Sequence, residues 1–276
     1  VSEYQYYEFT AVDRPLTGRE RVELRSLSTR ADITATSFVN TYEWGNFKGD
    51  PRTLMERYFD AHLYLANWGT RQLMLRLPKH VLDPATVAQY CQGDSASTWT
   101  AGGHVIIDLH DEGEDGADEW DLDGHGLLAS IIPVWAGLAA GDLRLLYLAW
   151  LRYVQSEEIA DDEPERPIPA GLGTLDAPLT AVAEFLRIDP DLIAAAAAGS
   201  SPAASGELTA AQLRTWDSTT QEIYRKKVAN SWRIIPRRPD VKTRAARAWR
   251  TIAVPCPGEL DAEPKQPGPD YRSLPG

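Results

Sequence analysis

The sequence predicts an α+β protein: an N-terminal α/β unit over 1–123, a mainly helical unit over 124–235, and a basic, then proline-rich, extended tail over 236–276. Three observations carry this reading. Strand-like and helix-like patterns alternate through the first 110 residues. The most apolar stretch of the chain follows at 124–153, GHGLLASIIPVWAGLAAGDLRLLYLAWLRY, between two acidic clusters. From Pro236 onward proline and charge dominate, and 255–276 has the composition of a tail with no core of its own.

The elements follow in order. Residues 4–12 place Tyr4, Tyr6 and Phe9 among polar neighbours, a first strand. Thr17 with Glu20 forms a capping-box pattern that opens a helix through about Arg30. Residues 33–44 are β-branched and aromatic, a second strand. After the loop 45–49, Asp50-Pro51 starts a helix. Leu54, Met55, Tyr58, Phe59, His62 and Leu65 then recur at helical spacing as far as Asn67. A third strand covers 72–77, and Asp83-Pro84 opens a short helix to about Gln92. Residues 97–100 and 104–109 make a hairpin across Ala101-Gly102-Gly103. A ferredoxin-like split βαβ is one candidate arrangement for these strands.

In the central stretch Leu127, Leu128, Ile131, Ile132, Trp135 and Leu138 share one helical stripe, and Leu143, Leu146, Tyr147, Trp150 and Leu151 share a second. Gly141 should end the first helix and Asp142 cap the next. Helices this apolar must be covered from several sides, so they predict the centre of the fold. Each half is too short for the ~20 residues of a membrane span, and Asp142, Arg144 and Arg152 lie inside the stretch. Two more helices are expected at 179–186 and 191–198, and Thr209 with Gln212 opens another through about Trp232.

Composition bounds the function classes. At 276 residues, with 43% hydrophobic and 25% charged residues, the chain has the make-up of an ordinary globular protein. Its two cysteines, Cys91 and Cys256, are too few for a disulfide framework and point to a reducing, cytoplasmic setting. The start at Tyr4-Gln5-Tyr6-Tyr7 has neither the basic nor the apolar part of a signal peptide. The net charge of −12 argues against a polyanion-binding surface overall. The charge is segregated, however: 108–123 hold nine carboxylates and no Lys or Arg, whereas 214–250 hold eleven Lys and Arg against three carboxylates.

Tyr4-Gln5-Tyr6-Tyr7-Glu8-Phe9, Asp13-Arg14-Pro15-Leu16-Thr17, Ser37-Phe38-Val39-Asn40, Trp44-Gly45-Asn46-Phe47-Lys48-Gly49-Asp50 and Ala66-Asn67-Trp68-Gly69-Thr70 resemble a bacterial family of hypothetical proteins. The resemblance runs to about Ile193 and leaves out the basic C-terminal part. It implies no catalytic residue, because the family has none assigned.

Three residue groups are candidates for chemistry. His104, Asp108 and His110, with His125 further on, could hold a divalent metal for a hydrolase, because even spacing puts the first three on one strand face. The spacing matches no metal motif with a known mechanism, and a solvated acidic loop is the simpler reading. Trp44, Lys48, Asn67 and Trp68 could form a ligand or peptide groove, stacking on indole and bonding through the amide. The simpler reading there makes Trp44 and Trp68 anchors of the helix that starts at Asp50. Arg225, Lys226, Lys227, Trp232, Arg233, Arg237 and Arg238 combine cations with aromatic rings, which suits weak nucleic-acid binding or an acidic partner. No phosphate loop, dinucleotide fingerprint or nucleophile elbow occurs, so no cofactor is expected. The expectation is a non-catalytic binding or assembly protein with a protein partner and no membrane.

Overall fold

The computed structural model describes residues 4–113, 123–160 and 162–202. They form one seven-stranded sheet in the order β2-β3-β1-β4-β5-β7-β6 with helices on both faces, an α+β architecture. The strands are β1 (Gln5–Thr10), β2 (Asp32–Ile33), β3 (Ser37–Tyr42), β4 (Ala61–Ala66), β5 (Arg71–Pro78), β6 (Ala96–Ala101) and β7 (His104–Asp111). Every neighbouring pair is antiparallel. A split βαβ needs a parallel central pair, so the ferredoxin-like arrangement is not the one formed.

On one face, α1 (Gly18–Leu27) and α2 (Pro51–Arg57) close over an aromatic core of Phe9, Phe38, Phe59, Tyr7 and Met74. The capping box opens α1, with Glu20 N–H donating to Thr17 Oγ1 and Thr17 N–H donating to Glu20 Oε2. On the other face lie α3 (Pro84–Tyr90), α4 (Leu127–Ile131), α5 (Pro133–Ala139), α6 (Arg144–Gln155), α7 (Ala177–Phe185) and α8 (Pro190–Ala198). Leu63, Leu65, Leu73, Leu75, Ile107 and Leu109 from the sheet share a single core there with Leu128, Ile131, Trp135, Leu146 and Trp150. The α6 helix is buried along most of its length, as its two-sided apolarity requires.

Four local expectations are corrected. The helix begun at Asp50 stops at Arg57, and 61–66 form β4 instead. As the fourth of seven strands, β4 is covered on both faces and carries apolar residues on both, which imitates a helical period. Residues 33–44 are not one strand: Thr34 N–H donates to Ser37 O, and the resulting turn separates β2 from β3. The first central helix breaks between Ile131 and Pro133, because proline has no N–H to continue the ladder. Gly141 does end α5, at φ +86°, but Asp142 lies one residue ahead of the Leu143 cap. Its carboxylate accepts the Arg144 N–H and forks onto the Arg144 guanidinium. The stretch 127–139 and α6 meet at 113°, and among the described residues no single helix is long and apolar enough to cross a membrane.

Two buried carboxylates tie the layers. Asp60, 2% exposed, accepts Val12 N–H at 2.6 Å, Asp13 N–H at 2.8 Å and the Arg76 guanidinium at 2.7 Å. Trp135 Nε1 then donates to Arg76 O at 2.8 Å, fixing α5 to the sheet. At the end of β7, Asp111 accepts Arg152 of α6 at 3.2 Å and Arg187 beyond α7 at 2.7 Å.

Candidate functional site

The loop from β3 to α2 is built to hold some side chains in and others out. Gly45, at φ +81°, turns the chain, and its carbonyl accepts Gln5 Nε2 at 3.0 Å. Phe47 then folds inward, its ring 5.1 Å from Tyr7 and 5.7 Å from Phe38. A Cβ on Gly49 would sit 2.6 Å from the Phe47 ring, so only glycine lets that ring tuck beneath the chain. Asp50 ends the loop by accepting the Arg52 and Thr53 N–H groups. Pinned at Gln5 and Phe47, the loop presents Trp44 and Lys48 outward.

Trp44 is 66% exposed, and the Arg30 guanidinium lies 4.7 Å above its ring. Trp68, in the turn between β4 and β5, is 42% exposed and donates Nε1–H to Thr70 Oγ1. Neither ring is buried in the core. Gln5 pairs with Tyr42 on one side and Ala66 on the other. Trp44 and Trp68 each follow two residues later, so both lie at the same end of the sheet, on strands about 10 Å apart. Asn67 does not join them. It is buried, its Oδ1 accepts Tyr4 N–H, and its own N–H donates to Tyr4 O.

Lys48 lines a separate cleft of about 430 Å³ between α1 and α2. Leu24, Leu27 and Leu54 form its apolar lining, and Glu23, Asp50, Arg57 and Tyr58 its polar one. Sequence reading found only Lys48 of this set. The two helices are separated along the chain, and no local pattern marks that they will meet.

His104, Asp108 and His110 share a face of β7, as their even spacing requires. They do not converge. His104 stands four residues from Asp108, about 13 Å along the strand. Asp108 is instead bound by Gln72 Nε2 at 2.9 Å, and His110 faces Glu112 at 3.5 Å. Burial raises the Asp108 carboxyl above its ordinary range, opposed by the Gln72 bond and by the charges of His110 and Arg52. His125 lies on the opposite sheet face, edge-on to Tyr6 at 5.2 Å. There Tyr6 OH donates to Glu8 Oε2 at 3.0 Å, and burial raises the Glu8 carboxyl. Among the described residues no three His, Cys, Asp or Glu side chains are grouped to share a cation. The proposed metal trio is therefore not assembled. Cys91 is a free, buried thiol that burial pushes up to about 12, too high for a nucleophile at neutral pH. The basic group Arg225, Lys226, Lys227, Trp232, Arg233, Arg237 and Arg238 lies outside the described residues.

Fold and site together define an α+β protein with an antiparallel sheet, helices on both faces, and two indoles left in water at one sheet end. Comparison with protein-family models, curated proteins and solved structures gives no match for this chain.

Proposed function

We propose that this chain is a cytoplasmic binding or assembly protein that engages a protein partner through Trp44 and Trp68. The observation that supports this most is their exposure of 66% and 42%, while Trp135 and Trp150 are 7% and 2% exposed in the core. Tryptophan contributes more to interfaces than most residues, because a large rigid ring is buried at small entropic cost. Arg30 over Trp44 adds a cation, so the partner surface should offer an apolar side chain beside a carboxylate. The bacterial family resemblance of the first 193 residues is in keeping with this reading and adds no chemistry to it. The nucleic-acid alternative rests on 214–250, and no described residue adds support to it.

The test compares co-purified proteins, by quantitative mass spectrometry, between wild type and a Trp44→Ala/Trp68→Ala variant. One partner should fall at least about tenfold, with each ring worth about 2 kcal/mol to the reconstituted complex and thermal stability unchanged. Equal recovery by both forms would remove the sheet end as the docking surface.

A further inference from the structure

The outer edge of β6 carries an inference that is independent of Trp44 and Trp68. The sheet ends in β2 on one side and in β6 on the other. The β2 strand is only Asp32–Ile33, and its aspartate is exposed, so it offers little to pair with. The β6 strand runs for six residues, ASTWTA, with no charge, no proline and no bulge in its register with β7. Those are the devices that ordinarily keep a strand edge from pairing. His110 N–H donates to Ser95 O, so Ser95 faces β7, and by strand alternation Ser97, Trp99 and Ala101 do too. The backbone N–H and C=O groups of Thr98 and Thr100 therefore point away from β7, and no described residue bonds them there. Thr100 is exposed, and Thr98 and Trp99 are half-buried.

We propose that β6 pairs with β6 of a second copy of this chain, antiparallel about a two-fold axis through Trp99, to give one continuous sheet. The strand is self-complementary about that residue: Thr98 and Thr100 flank Trp99, and the small residues Ser97 and Ala101 flank them in turn. With Trp99 opposite its own symmetry mate, Thr98 of each copy faces Thr100 of the other. Each such pair exchanges N–H···O=C bonds in both directions, which satisfies every outward group of the two threonines. The Trp99 rings then meet on the sheet face that carries α2, as a cross-strand aromatic pair. Charge permits the approach despite the net −12 of the chain. The Arg52 guanidinium lies 4.1 Å over the Trp99 ring and Glu56 accepts its Nε1–H at 2.8 Å, so the charges that touch the ring cancel. The self-complementary order favours a second copy over an unrelated extended peptide.

The experiment uses the full chain. Sedimentation over a wide range of protein concentration gives the oligomeric state, and hydrogen exchange read by two-dimensional NMR follows single amides across the same range. The chain should dimerise, and exchange of the Thr98 and Thr100 amides should slow as the dimer fills, while the amides of β2 keep their rates. Thr100→Pro removes the outward N–H from each copy without touching the bonds to β7, and proline is tolerated at such edge positions. It should weaken the dimer about tenfold or more, the loss of one inter-strand bond per copy. The wild-type exchange measurement needs no variant, so it decides the matter even if the proline variant misfolds. A monomer at every concentration up to about 0.1 mM, a dimer that leaves both threonine amides at the monomer rate, or an undiminished dimer of folded Thr100→Pro would each overturn the proposal. Protection of both amides that does not depend on concentration would overturn it as well, because another segment of the same chain would then occupy the edge.

Discussion

His62 shows how far a single side chain can depart from what its sequence position suggests. It is fully buried, stacked on Phe9 at 3.9 Å, with Nδ1 bonded to Glu8 O at 2.9 Å and Nε2 without a hydrogen-bond partner among the described residues. Burial pushes its pKa down to about 3, only partly opposed by the Glu8 carbonyl. The unfolded chain takes up the His62 proton near pH 6.5 and the folded chain does not until about pH 3. Stability from this group is therefore complete above pH 6.5 and is lost as pH falls through that window, by about 1.4 kcal/mol per pH unit. The groups packed against the ring are the Phe9 and Tyr7 rings and the Glu8 carbonyl, none of which titrates there. Urea unfolding of wild type and His62→Phe at pH 6.5, 5.5 and 4.5 tests this. The wild type should lose stability more steeply by about that slope, and parallel profiles would show that His62 protonates without cost.

At the scale of elements, the burial of the central helices was legible in the sequence, although the first of them is broken at Pro133 into α4 and α5. Trp135 and Trp150 were expected in the core from helical spacing, and both are buried there, Trp135 with its Nε1 bonded to Arg76 O. Replacing either with Ala should cost about 3–5 kcal/mol in urea unfolding, through lost contact area and the cavity left behind. Costs near zero for both would mean that α5 and α6 do not form the core. The region around β4 worked least well. Phe59, His62, Leu63 and Leu65 satisfy a helical period and a strand period at once, because a strand covered on both faces loses the alternation that identifies it. What distinguishes the two is Asp60, between α2 and β4, whose carboxylate is taken up by the Val12 and Asp13 N–H groups just past β1 and by Arg76. That signal is tertiary.

For the whole molecule, Asp111 is the point where sheet and helices are joined by charge. Its carboxylate, at 5% residue exposure, holds Arg152 and Arg187, while Arg187 also donates to Gly69 O at 2.8 Å in the turn between β4 and β5. Gly113 fits against Gly69 with so little room that a Cβ would lie 3.0 Å from the Gly69 backbone. Asp111→Ala should destabilise the protein by about 3 kcal/mol, reduced from the fully buried case because Arg187 keeps some contact with water. Thermal and urea unfolding report it, and a loss below about 1 kcal/mol would make the bridge incidental to the packing of α6 and α7.

The sequence by itself determined the α+β class, the hairpin of β6 and β7, the capped starts of α1, α2 and α3, and the burial of the central helices. All of these depend on neighbours within a few residues, where hydrogen-bonding side chains and apolar period act directly on the backbone. It also named Trp44, Trp68 and Lys48, but not their setting. The tertiary structure decided that the sheet is wholly antiparallel, that both tryptophans stand in water at one sheet end, that Asn67 serves Tyr4, and that His104 and His125 lie on opposite sheet faces. It also assembled the Lys48 cleft from two helices distant along the chain. Pairing register and face are set by contacts between residues tens of positions apart, and no local spacing records those contacts.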